Sequence, residues 1–345
     1  MPDAQPPSGS VLGQAPGLRL SVVIPAKDRA RELQACLEAL FASRHEGFEV
    51  VVVDDGSRDE TAAVAERRGC RVVRHGACRG AAAARNTGAR AARGEILLFL
   101  DSDVLVDRGL LAEVDRAFES PATQAVVGLL AKDALHPNFA SQYDALYMHY
   151  QYWTHAESIA IFYTSCAAIR RALFIEHGGF DENYKGAGIE DMELGQRLVQ
   201  RGVSLRLDKR LQVSHAHAFT VIELLAKNRR TASGTLKIML RNLSAGRRNR
   251  RLVAPPWSFL LGIPLTLVAA ALLLAPMALP PACALPALPV AGAVLLLNRR
   301  FLGFLLRQRG AAFLVRGCAF LLVNNLAYAA GILGGAIAFA AGYRY

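Results

Sequence analysis

From Leu252 to Asn298 the chain carries no Asp, Glu, Lys, Arg or His, and from Gly317 to Gly342 it is equally free of charge. A bilayer core is about 30 Å thick and takes roughly 20 apolar helical residues to cross, so the first stretch has room for two spans and the second for one. Three transmembrane helices are therefore expected in a C-terminal membrane region at 251–345. Pro280 and Pro281 divide the first stretch where a hairpin turn is needed, and Trp257 stands near its start as an interfacial anchor. The second segment, about Ala284 to Leu297, is short and holds Pro286 and Pro289, so a re-entrant segment is the alternative to a full crossing.

Charge orients these spans. Arg241, Arg247, Arg248, Arg250 and Arg251 precede the first, while Arg299, Arg300, Arg307, Arg309 and Arg316 lie between the second and third. Positive residues beside short loops stay on the cytoplasmic side, which places residues 1–250 in the cytoplasm and makes the chain a multi-pass protein of the cytoplasmic (inner) membrane. Residues 299–316 alternate Arg with Phe301, Leu302, Phe304, Leu305 and Leu306, the pattern of a basic segment lying in the interface. Much of the formal net charge of +11 sits beside these apolar stretches, where anionic headgroups and not nucleic acid are the nearer partner. Residues 1–17, rich in Pro, Gln, Ser and Gly, read as a flexible tail and not as a signal peptide. Six scattered cysteines argue against a zinc site and fit a reducing compartment.

The region 18–250 alternates short apolar runs with helical patterns: Leu20–Ile24, a helix from about Arg29 to Ala42, Phe48–Val53, a helix near Thr61 to Arg68, Arg71–Arg74, a helix near Ala81 to Ala92, and Ile96–Leu100. β-Branched runs separated by helices imply strands buried on both faces, hence an α/β, Rossmann-like fold with a mostly parallel sheet. Ligands of such sheets bind beyond the carboxyl ends of the strands. Those ends read Pro25-Ala-Lys27-Asp28, Asp54-Asp55-Gly56-Ser57 and Asp101-Ser102-Asp103, so neighbouring loops gather carboxylates that call for a shared cation. A divalent metal taking oxygen ligands together with substrate phosphate meets that need. In an extended segment Asp101 and Asp103 would point the same way and Ser102 away. Asp59 and Asp107 read as helix caps. A dinucleotide fold would put G-x-G-x-x-G after the first strand, and Pro25 and Lys27 occupy that place.

Taken together, Ser21-Val-Val-Ile-Pro25, Val51-Val-Val-Asp54-Asp55-Gly56-Ser57, Ala84-Arg85-Asn86-Thr87-Gly88, Leu100-Asp101-Ser102-Asp103 and Glu190-Asp191-Met192-Glu193-Leu194 resemble the family 2 glycosyltransferases of the GT-A fold over about residues 18–220. The resemblance implies an inverting transferase that uses a nucleotide-sugar donor and Mg²⁺ or Mn²⁺. By position, Pro25 and Lys27 would line the base pocket, Asp55 would bind the base with Asp54 beside it, and Arg85 and Asn86 would face the nucleotide or diphosphate. The alternative for the last two is a surface arginine and a helix-start asparagine. Lys27 departs from relatives that carry an aromatic there. Asp103 would ligate the metal, and Asp101 would hold the ribose or the metal. Asp191, paired with Glu190, would be the general base, although an acidic pair also suits a helix start. His215 or His217 would complete the metal site or serve as an ordinary structural histidine. Gly178 to Ile189 is a glycine-rich loop placed to close over the acceptor.

The membrane region points to a lipid or lipid-linked acceptor. A processive synthase would show Q-x-x-R-W, whereas the helix here gives Gln196-Arg197-Leu198-Val199-Gln200-Arg201. A polyprenyl-phosphate sugar synthase is the neighbouring alternative, and a catalytically inactive nucleotide-sugar-binding scaffold the alternative from another class.

Overall fold

Uninterrupted runs of Val, Ile and Leu have nowhere to put their side chains unless both faces of a strand are covered, and the runs at 20–24, 50–53 and 96–99 are buried throughout. The computed structural model describes residues 18–154, 159–184, 188–246, 257–277 and 280–343, without the side chains of Trp257, Phe259 and Leu260. The expected tail at 1–17, the arginines at 247–251 and the side chain of the anchor Trp257 thus lie outside the described residues.

In chain order the elements are β1 Leu20–Ala26, α1 Ala30–Phe41, β2 Phe48–Asp54, α2 Thr61–Arg67, β3 Arg71–Arg74, α3 Ala81–Ala91, β4 Ile96–Phe99, β5 Val104–Val106, α4 Leu110–Ala117, β6 Ala125–Leu130, α5 Phe139–Trp153, β7 Ala167–Arg170, α6 Arg171–Glu176, α7 Glu190–Gln200 and β8 Leu205–His215. The C-terminal part adds α8 Val221–Ser244, α9 Trp257–Leu274, α10 Ala287–Leu297, α11 Arg299–Arg309 and α12 Ala311–Ala340. One eight-stranded sheet runs β3-β2-β1-β4-β7-β6-β8-β5. The β3-β2-β1-β4 half is parallel, β7 is antiparallel to both β4 and β6, β6 and β8 are parallel, and β5 is antiparallel to β8. The first half is the α/β unit read from the sequence, and it lines up the carboxyl ends of β1, β2 and β4 on one edge.

Helix α3 lies close on that sheet because of its composition. Alanines line its inner face, and a Cβ at Gly88 would sit 2.4 Å from Val23 Cγ1, so only glycine permits this approach. In the same core cluster, Phe99, Phe162, Phe174 and Phe180 interlock with centroid separations of 5.1 to 6.2 Å.

The C-terminal helices are bolted to the sheet domain. Tyr143, Tyr147 and Tyr150 of α5 pack on Phe301 of α11, and Tyr143 also meets Phe320 of α12. Arg309 at the end of α11 donates to Gln142 and Asp133. Along α8, Gly331 and Gly335 of α12 face the carbonyls of Arg229 and Ser233 so closely that a Cβ would fall 2.2 and 2.7 Å away. Asn228 donates to Asn324, and Asn325 to Thr266 of α9, both across helix pairs.

Among the described residues α12 alone is long and apolar enough to cross a bilayer by itself. The segment expected as the second span is the 11-residue α10, preceded by one turn from Pro281, and it meets α11 at a bend of 73°. Within α9 and the turn after it, the described apolar stretch runs over Leu261–Met277. The basic segment expected over 299–316 is also divided: α11 ends at Gly310, whose φ of +80° breaks the helix, and Ala311 to Arg316 begin α12.

Candidate active site

The acidic tripeptide is a turn and not the extended stretch expected from the sequence, since the Val104 amide donates to the Asp101 carbonyl at 3.2 Å. Ser102 is buried beneath the turn, and the two carboxylates on either side of it meet different partners. Asp101 is held at both oxygens: Arg85 Nη2 donates to Oδ1 and Ser165 Oγ donates to Oδ2, each at 2.7 Å. Asp103 faces His215, which the pairing of β5 with β8 sets directly opposite Val104. Asp103 Oδ1 and His215 Nδ1 are 3.4 Å apart, too long for a good hydrogen bond, and Nδ1 is a buried atom without a hydrogen-bond partner. Burial pushes the Asp103 carboxyl up, yet the neighbouring His215 outweighs it and the net shift is downward. For His215 burial depresses the ring, and Asp103 reverses this to a net rise. His217, equivalent to His215 in the sequence, turns instead against the Phe219 ring at 4.6 Å.

Arg85 ties the acidic turn to α7. Its Nη1 donates to Glu190 Oε1 at 2.7 Å, so one buried guanidinium spans Asp101 and Glu190. Glu190 Oε2 accepts from the Gly188 and Ile189 amides at 2.8 and 3.0 Å. Glu190 is thus held at both oxygens and braces Arg85 against the start of α7. Its neighbour Asp191 differs. Oδ1 takes the Met192 amide at 2.7 Å, and burial first, then the adjacent Glu190 charge, push the carboxyl up to about 7 against the opposing pull of Arg85. A carboxylate poised there accepts and releases protons near neutral pH.

Asp55 and Asn86 are also committed to the protein, for related reasons. The N-terminus of α3 offers free amides that suit an anion, and Asp55 supplies that anion from within. It accepts from the Arg79 and Gly80 amides at 2.8 Å each, from His75 Nδ1 at 2.7 Å and from Cys78 Sγ at 3.2 Å. Burial raises its carboxyl and these donors more than compensate, leaving it below the usual range. Asn86, expected toward the nucleotide, clasps the loop before α7: it donates to the Phe180 carbonyl and Glu182, and accepts from the Phe180 amide at 2.8 Å. A Cβ at Gly179 would lie 2.4 Å from Asn86 Oδ1, so this glycine serves close packing. Asp54 accepts the Ser57 amide at 3.0 Å. Pro25 is half-buried at the same edge, and Lys27 is exposed beside Cys78, whose hydrogen bond raises the amine above its ordinary value. Asp59 accepts from the Ala30 and Thr61 amides and Asp107 from the Gly109 amide, but the N-cap positions of α1, α2 and α4 fall to Arg29, Glu60 and Gly109 where the sequence reading had put Asp59 and Asp107 as caps.

Three residues of this network escaped the sequence reading. Cys78 and His75 buttress Asp55, and His75 Nε2 also meets Thr87 Oγ1 at 3.1 Å. The strand-end rule that singled out Asp54 and Asp101 applies equally to His75, one residue beyond β3. Ser165 carries no local signal, since it precedes an antiparallel strand far from Asp101 in the chain.

The comparisons with known proteins fall on this same region. Residues 21–178 match the model of glycosyl transferase family 2, and residues 144–220 that of the N-terminal domain of galactosyltransferase. Residues 21–178 are thus a glycosyl transferase family 2 segment. The chain is 30% identical over 233 residues to a pre-mycofactocin glycosyltransferase of Mycobacterium tuberculosis, a match covering 65% of the chain and 47% of that protein. It is 32% identical over 233 residues to a validoxylamine A glucosyltransferase of Streptomyces hygroscopicus subsp. jinggangensis, covering 55% of the chain and 53% of that protein. The chain spans about half the length of these curated relatives. In fold it is similar to a mannosyltransferase of Pyrobaculum calidifontis solved with GDP-Man and Mn²⁺, with a TM-score of 0.63 at 22% identity, covering 93% of this chain and 90% of that one. The sheet is accordingly a GT-A sheet, and at this coverage the likeness takes in C-terminal helices as well.

Among the described residues no group of three or more His, Cys, Asp and Glu side chains forms a complete metal site. The donor set nonetheless fits a divalent cation that shares its shell with substrate: a carboxylate oxygen of Asp103 and the unpartnered Nδ1 of His215 are turned toward each other.

Proposed function

We propose that this chain transfers a sugar, with inversion, from a nucleotide-diphosphate donor to a lipid or lipid-linked acceptor at the cytoplasmic face of a membrane. The observation that carries the reading is the single network Asp103/His215–Ser165–Asp101–Arg85–Glu190, half-buried at its Asp103 end and buried at Arg85 and Glu190, which ends beside Asp191, the carboxyl pushed up to about 7. It unites the two things the reaction needs, a place for a cation on the leaving diphosphate and a base for the incoming hydroxyl.

Asp103 and His215 would hold Mg²⁺ or Mn²⁺, which when bound supplies charge neutralisation to the diphosphate. Asp191 accepts the acceptor hydroxyl proton as that oxygen bonds the anomeric carbon, and the bond from that carbon to the diphosphate oxygen breaks with its electron pair going to the leaving group. Arg85, by pairing Glu190, keeps that neighbour from meeting the acceptor and offsets its charge. Asp54, Pro25 and Lys27 lie at the strand edge where the base and ribose would sit. Asp55 shapes that pocket through the 75–80 loop. The lipid side of the reading is supported by α12 and by the rigid docking of α8 and α11 on the sheet domain.

A panel of nucleotide-sugars assayed for slow donor hydrolysis with Mn²⁺ in detergent needs no knowledge of the acceptor. Turnover of at least one donor, lost with EDTA and restored by Mn²⁺, is expected. Folded protein that neither binds nor hydrolyses any donor would refute the reading.

A further inference from the structure

Ser165 sits where none of the family's acidic motifs reaches, yet its hydroxyl lies within hydrogen-bond distance of both Asp101 and His215. Its hydroxyl is buried, 2.7 Å from Asp101 Oδ2 and 3.3 Å from His215 Nε2. A serine hydroxyl has one hydrogen and two lone pairs, and a carboxylate only accepts. The short contact to Asp101, whose other oxygen is held by Arg85, therefore takes the serine hydrogen. What remains on the oxygen for His215 is a lone pair, which requires a hydrogen on Nε2. A neutral imidazole carries one N–H, so Nδ1 is then left bare.

That bare nitrogen is the one that lies 3.4 Å from Asp103 Oδ1 with no hydrogen-bond partner. Two acceptors facing each other at this distance repel unless a positive centre stands between them. We propose that Ser165 is a positioning residue: through the Asp101–Ser165–His215 chain it fixes the histidine tautomer that leaves Nδ1 free to ligate the divalent cation beside Asp103. The inference rests on the metal reading given above. It also gives Asp101 a task different from direct ligation, since with Arg85 on one oxygen and Ser165 on the other it sets the direction of the chain. Metal-ligating histidines generally depend on such an outer partner, and losing it typically costs about 10–100-fold in metal affinity.

The experiment uses the full chain in detergent, labelled with ¹⁵N-histidine, as wild type, Ser165→Ala, Ser165→Thr and His215→Ala, the last assigning the His215 signals. Nitrogen shifts are recorded without metal at alkaline pH. Mn²⁺ uptake is then followed by loss of the free-ion electron paramagnetic resonance signal, with Mn²⁺ alone and with Mn²⁺ plus UDP or GDP. Wild type and Ser165→Thr are expected to show a protonated Nε2 and a bare Nδ1. Ser165→Ala is expected to show mixed tautomers and about tenfold weaker Mn²⁺ binding at an unchanged thermal midpoint. A Ser165→Ala protein that keeps the wild-type nitrogen pattern, or that changes it while binding Mn²⁺ as tightly, overturns the proposal. Wild-type protein that takes up no more Mn²⁺ than His215→Ala overturns the metal reading, while the metal-free nitrogen shifts still decide whether Ser165 controls the ring.

Discussion

Asp191 and Asp55 show opposite uses of a buried carboxyl. Asp191 is short of donors, and its folded-state value near 7 lies above that of an unfolded aspartate, so the folded state binds the extra proton. Its contribution to stability is therefore most favourable below about pH 4, is lost as pH rises towards 7, and stays lost above that. Activity runs the other way, because the base must be ionised, and the wild-type transfer rate is expected to climb through about pH 7. Asp191→Asn should lower transfer about 100-fold or more while leaving donor binding unchanged. Its thermal midpoint should exceed that of wild type by a margin that grows from pH 4 to 7, a few degrees in all, since about 1 kcal/mol moves a domain of this size by roughly 2–4 °C. Paired pH–rate and pH–melting curves check both signs. Asp55 is rich in donors, and Asp55→Ala strands two amides, His75 and Cys78 at once. A loss of about 2–4 kcal/mol together with weakened donor binding is expected, read by thermal melting and nucleotide titration.

Helices and strands were the most legible layer, because β-branched runs buried on two faces and amphipathic helices leave a local period. The first four strands and the helices between them fall within a residue or two of where the pattern puts them. The site was legible in its carboxylates and not in their roles. Asp101, Asp55, Arg85 and Asn86 stand at the right strand and helix ends, but their partners Ser165, His75, Glu190 and Phe180 come from elsewhere in the chain, and no spacing rule reveals which oxygens those partners consume. The acidic turn was misjudged as extended because a two-residue alternation looks the same in a strand and in a turn. Between elements, the α8–α12 contact is governed by small residues. Gly331→Leu places a side chain where a Cβ alone would meet the Arg229 carbonyl at 2.2 Å, and should cost about 1–3 kcal/mol by forcing the helices apart, measured as a lowered midpoint in detergent. Gly334→Leu, whose Cβ meets nothing, should be near neutral.

At the scale of the whole molecule, the sheet domain and the C-terminal helices share one packed seam. Phe301, Phe320 and Leu305 complete the aromatic face of α5, and α12 covers one side of α8. A chain stopped at Ser244 would expose Tyr143 and Leu146 together with Ala232, so it should aggregate in a mild detergent in which the full chain stays monodisperse, as size-exclusion chromatography would show. The sequence set the C-terminal region apart through missing charge, but composition does not say that this region packs on the sheet domain.

The guanidinium of Arg85, shared between Asp101 and Glu190, has a consequence for how such a chain can change over generations. Losing Arg85 leaves two carboxylates without their shared cation, and losing either carboxylate changes how the guanidinium holds the other, so substitutions at these positions should be far from additive, with coupling between Asp101→Asn and Glu190→Gln of about 0.5–3 kcal/mol in a double-mutant cycle. The acidic turn and the brace beside the base, distant in sequence, are thus inherited as a single character.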